Sequence, residues 1–102
     1  MADPRILWGS INTAGNVEHG SGGFTPSRQD EGTFVISFSP TFDGLPAMVA
    51  TLTKFGSTDQ SPNDGIVIPL LSNSSATVLT GDNHNNLADR SFSFIAIGTS
   101  SS

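Results

Sequence analysis

A chain of 102 residues has room for one hydrophobic core, so 1–102 is expected to be a single domain. Charged residues make up 13% of it, against a usual ~25%, and the net charge is −5, with Arg5, Arg28, Lys54 and Arg90 the only cations. That balance excludes nucleic acid and anionic membrane surfaces, which need clustered cations, and no segment approaches the ~20 apolar residues of a membrane span.

The first strand signal is 5–11 (RILWGSI), closed by the turn residues Asn12-Thr13-Ala14-Gly15-Asn16. After the glycine-rich run His19-Gly20-Ser21-Gly22-Gly23 comes 24–28 (FTPSR), where Pro26 lacks an N–H and so belongs at a sheet edge or a bulge. The turn Gln29-Asp30-Glu31-Gly32 leads into 33–39 (TFVISFS), the clearest strand of the chain. Phe34, Ile36 and Phe38 share one face there at period two. The pair 24–28 and 33–39 reads as a hairpin.

Residues 40–46 (PTFDGLP) form a connection. The strand 47–55 (AMVATLTKF) opens on successive apolar positions, which implies cover on both of its faces there. A polar loop at 56–64 precedes a second hairpin, 65–71 (GIVIPLL) and 76–81 (ATVLTG), around Ser72-Asn73-Ser74-Ser75. The most polar loop is 82–90 (DNHNNLADR), and 91–98 (SFSFIAIG) is the last strand. Residues 1–4 and 99–102 are expected to fray. No stretch carries a helical apolar stripe. The fold class is therefore all-β: a small antiparallel β-sandwich, jelly-roll-like in its layering.

The last strand is apolar on both sides, with Phe92, Phe94 and Ala96 on one face and Ile95 and Ile97 on the other. A sandwich strand needs only one apolar face. The Ile95 and Ile97 side is covered either by another subunit or by a loop or the first strand of the same chain.

From Gly9 to Phe38 the chain reads G-S-I-N-T-A-G-N…G-S-G-G-F-T-P-S-R…G-T-F-V-I-S-F. It continues as F-D-G-L-P-A-M-V-A-T-L and ends in D-R-S-F-S-F-I-A-I-G. This order resembles the β-sandwich modules at the C-terminal tips of bacteriophage tail fibres and in bacterial adhesin-like and collagen-like proteins. A short F…P-x-x-V element is also similar to H-type lectins. The resemblance implies a homotrimer at the end of a fibre, contacting a cell-surface glycan or protein receptor. It carries no sugar-binding positions over to this chain.

Nothing points to catalysis. No G-x-S-x-G elbow occurs, and His19 and His84 each sit in a polar loop. The chain has no cysteine, which removes disulfides, thiolate metal sites and cysteine nucleophiles, and neither a cofactor nor a metal is expected. Asp82, Asn83, His84, Asn85, Asn86 and Asp89 would offer hard oxygens, but without the spacing of a calcium loop, and Asx-rich loops more often form turns. Trp8, the sole tryptophan, lies on a face the pattern leaves ambiguous.

The sequence reading is thus a non-enzymatic, trimeric receptor-binding tip domain at an extracellular or virion surface. Asp59, Asn63, Asp82, Asn83, His84 and Asn85 are its ligand-binding candidates and Ile95 and Ile97 its oligomer interface. The alternative is a structural trimerisation cap without a ligand. The opening Met1–Arg5 is not followed by the apolar core of a secretion signal, which fits a particle component made in the cytoplasm or a segment of a longer chain.

Overall fold

The computed structural model describes residues 2–53 and 63–101. Its strands are β1 (Ala2–Ile11), β2 (Val17–Gly20), β3 (Phe24–Asp30), β4 (Thr33–Phe38), β5 (Ala47–Leu52), β6 (Gly65–Leu71), β7 (Ser75–Gly81) and β8 (Phe92–Ser101). They form two antiparallel four-stranded sheets, β2-β1-β8-β5 and β3-β4-β7-β6. The expected small all-β sandwich is what the chain builds. Hairpins β1–β2, β3–β4 and β6–β7 each stay within one sheet, and the remaining connections cross between sheets.

Period-two alternation places the core. In β4, Phe34, Ile36 and Phe38 are buried and interleave with less buried Thr33, Val35 and Ser37. Ala76 and Val78 of the neighbouring β7 join them, and Phe92, Phe94 and Ala96 of β8 with Leu7 and Ile11 of β1 oppose them from the other sheet. Rings meet edge to face across the interior: Phe34 with Phe92 at 5.4 Å, and Phe24 with Phe94 at 4.9 Å. Pro26 sits where its missing N–H is harmless, because β3 is an edge strand.

Two expectations need correction, and one strand had no sequence signal. Residues 2–4 and 99–101 are strand and not unpaired ends: Ala2, Asp3 and Pro4 pair with Ser101, Ser100 and Thr99, extending the β1–β8 ladder. The polar segment β2, which has too few apolar residues to show a strand pattern, pairs with Gly9, Ser10 and Ile11 across a bulge. The start of β5 is covered on one face only, since Ala47 is exposed and Val49 is 67% exposed. Its apolar run reflects an outer face that no described element of the chain covers.

Candidate functional site

The strand directions divide the molecule into two ends. β1 begins and β8 finishes at one of them, while the 12–16 turn, the β3–β4 turn, residues 63–64 and the 82–90 loop gather at the other.

At the loop end, two segments of unrelated sequence adopt the same turn. Asn12 Oδ1 accepts from the amides of Ala14 at 3.0 Å and Asn16 at 2.9 Å, and the Asn12 amide donates to the Asn16 carbonyl. Asp82 Oδ1 accepts likewise from His84 at 2.8 Å and Asn86 at 3.1 Å, and the Asp82 amide donates to the Asn86 carbonyl. The fourth residue of each turn is left-handed, Gly15 at φ 87° and Asn85 at φ 66°. Asparagine tolerates that region because its short amide meets little backbone there. The amides of His84 and Asn86 hold the Asp82 carboxyl below its ordinary pKa, since they favour the ionised oxygen.

The 82–90 loop is then tied down on its return. Thr80 Oγ1 donates to the Ala88 carbonyl at 2.6 Å and the Ala88 amide donates to the Thr80 carbonyl. Asp89 accepts from Arg28 Nε at 2.9 Å and from the Gly32 amide at 2.8 Å, joining the loop to the β3–β4 turn. Arg90 Nε donates to Asp64 at 2.9 Å. Polar ties thus replace the apolar anchors that the sequence lacks.

These ties bring part of the expected ligand set together. Asn63, Asp82 and Asn85 line one open groove of about 350 Å³, with Asn86 beside them and Ile66, Val67, Leu79 and Leu87 as its apolar walls. Asn83 and His84 are exposed at the tip of the turn, outside that lining. Asp59 lies outside the described residues. Asn86, Val67 and Leu87 are groove residues the ligand set lacked. Asn86 stands in the Asx cluster of its loop, and Val67 is the middle of three successive apolar residues, Ile66 to Ile68, in a sandwich strand that needs only one apolar face.

The second candidate surface is the outer face of the β2-β1-β8-β5 sheet. Ile6 pairs with Ile97 and Trp8 with Ile95 between β1 and β8, while Ala47 pairs with Ile97 and Val49 with Ile95 between β5 and β8. Residues paired across a ladder share a face, so these six side chains make one stripe. Ile6, Trp8, Val49, Ile95 and Ile97 are each 45–67% exposed. Below the stripe the hydroxyls of Ser10, Ser93 and Thr53 form a hydrogen-bonded row, at 2.8 Å and 3.1 Å.

No protein-family model, curated protein or solved structure matches the chain. The functional reading therefore rests on these two surfaces. Among the described residues, no group of three or more His, Asp or Glu side chains is placed to hold a metal ion. His19 and His84 are both exposed. Arg28 and Arg90 are engaged by Asp89 and Asp64, and Arg5 stacks 4.9 Å over the Phe42 ring, so the described cations are committed within the chain.

Proposed function

We propose that this chain is a non-enzymatic recognition module that works as a homotrimer and binds a cell-surface receptor, a glycan, through its loop end. The observation that carries the reading is the apolar stripe Ile6, Trp8, Ala47, Val49, Ile95 and Ile97 on the outer face of the β2-β1-β8-β5 sheet. A contiguous apolar patch on rigid strands, with no Asp, Glu, Lys or Arg among its residues, is the signature of a covered surface. Three copies packed through it bury the stripe about a common axis.

The groove supplies the recognition half. Asn85 and Asn86 bring amide donors and acceptors that suit sugar hydroxyls, against apolar walls of Val67 and Leu87. The Ala2–Ser101 end of the β1–β8 ladder lies away from it, so a neighbour attached there leaves the groove clear. Three grooves on one trimer would turn weak single-site affinity into avidity.

Glycan-array and cell-binding measurements on the double variant Asn85→Gly with Asn86→Ala test this. Glycine keeps the left-handed turn, so the variant removes both amides without strain. Binding is expected to vanish while assembly and melting temperature stay at parent values. A parent protein with no saturable, competable binding would leave the ligand-free trimerisation cap as the better reading.

A further inference from the structure

Three of the four sheet edges are blocked against further pairing. β3 carries Pro26 and a bulge between Arg28 and Asp30, and β6 carries Pro69 and a bulge between Val67 and Leu70. β2 is four residues long, holds Glu18 and is offset by a bulge at Ser10 and Ile11. Short strands, prolines, charges and bulges are the devices by which sheets avoid joining edge to edge.

β5, the fourth edge, has none of them. Ala47–Leu52 reads AMVATL, without proline, charge or bulge, and its pairing with β8 is regular from Ala47–Ile97 to Leu52–Phe92. Among the described residues no strand pairs with its other side. The hydrogen-bond phase follows from Thr53, whose amide donates to the Ser91 carbonyl at 3.0 Å. Bonded and non-bonded pairs alternate along an antiparallel ladder, so Thr51, Val49 and Ala47 also turn their backbone groups toward β8. Met48, Ala50 and Leu52 therefore each present an N–H and a C=O to the open side.

We infer that β5 is a docking edge for a second copy of the same chain, joined antiparallel to its own β5 about a two-fold axis. The register that uses all three open residues sets Ala50 opposite its counterpart and Met48 opposite the second copy's Leu52. The occupant is another copy because the edge is self-complementary. In a chain of net charge −5, a strand with no charge lets two copies approach without repulsion at the seam. Pairing also sets Val49 beside the second copy's Thr51, so the two sheets continue as one eight-stranded sheet.

This edge is separate from the outer face, and the inference stands apart from the proposed function. Edge pairing alone gives a dimer. Together with three-fold packing of the face it joins two trimers into a hexamer. Light scattering of the parent chain is therefore expected to give an even number of subunits. A monomer or a trimer overturns the inference, and a trimer does so while leaving the proposed function intact.

Cysteine cross-linking reads the register itself, in a chain that has no cysteine of its own. Residues facing each other in a hydrogen-bonded pair have Cα atoms about 5.5 Å apart, within disulfide range. Ala50→Cys is expected to form a covalent dimer under mild oxidation, whereas Ser27→Cys on the blocked β3 edge is not. Equal cross-linking of the two variants, each with the parent's circular dichroism, would overturn the inference.

Discussion

Asp89 holds Arg28 by a 2.9 Å bond to its Nε and, with its other oxygen, caps the Gly32 amide, so one carboxylate joins the 82–90 loop to the turn between β3 and β4. The Arg28 guanidinium, and then the Gly32 amide, keep the Asp89 carboxyl below its ordinary pKa. Asp82 is depressed by the His84 and Asn86 amides. A depressed folded-state pKa means that folding favours the ionised form. The stability these groups give is fully present above the unfolded carboxylate value of about 4, and is lost as pH falls through the lower folded values. Urea midpoints are expected to hold steady from neutral pH to about pH 5 and to drop below about pH 4. Asp89→Asn should flatten part of that acid limb; an unchanged limb would remove Asp89 from the account.

Gly32 is irreplaceable for two reasons. Its φ is 66°, and a Cβ there would fall 2.5 Å from the Thr80 carbonyl oxygen and 2.8 Å from the Ala88 amide nitrogen, both backbone atoms. Gly32→Ala is expected to cost about 2–3 kcal/mol by urea denaturation. Gly44→Ala, where a Cβ meets nothing within 4 Å, should be close to neutral.

The core prediction contrasts two neighbours on β4. Phe34 is fully buried against Phe92, so Phe34→Ala should cost roughly 3–5 kcal/mol. Val35 points to the other side, and Val35→Ala should cost less than about 1 kcal/mol. Similar losses at the two positions would refute the register of the strand.

On the outer face, Ile95→Asp or Ile97→Asp places a carboxylate on a side chain that is about half exposed in the single chain. Each variant should keep the parent's circular dichroism and run as a smaller species by light scattering, because an unpaired charge is costly only where the face is covered. Parent-like mass in both variants would exclude this face as the interface.

What the sequence made legible follows from what it had to bury. The alternation of Phe34, Ile36 and Phe38, and of Phe92, Phe94 and Ala96, locates both halves of the core, because inward positions of a two-layer sandwich must be apolar. Pro26 marks its own edge. β2 was illegible because its four residues are exposed and join the sheet through backbone bonds alone. The apolar start of β5 misled in the opposite way: burial within one chain and apolar exposure on its surface look alike in a sequence. The grouping of Asn63 with Asp82 and Asn85 was anticipated only as two separate polar loops. The Arg90–Asp64 bridge, which brings their ends together, spans 26 positions and has no local signature.

The twin turns at 12–16 and 82–86 show how little of their sequence is spoken for. Each frame takes one carboxamide or carboxylate at its first position and one left-handed residue at its fourth; every other bond in it is main chain. Asn83 and His84 stand on the second frame without holding it up, as Thr13 and Ala14 do on the first. The tip is thus an interchangeable socket, able to carry new side chains from one sequence to the next while its shape stays constant. NTAGN set into the place of DNHNN should seat without disturbing the strands on either side, and a surface that can be rewritten at so small a structural risk is one on which a changing target can be followed.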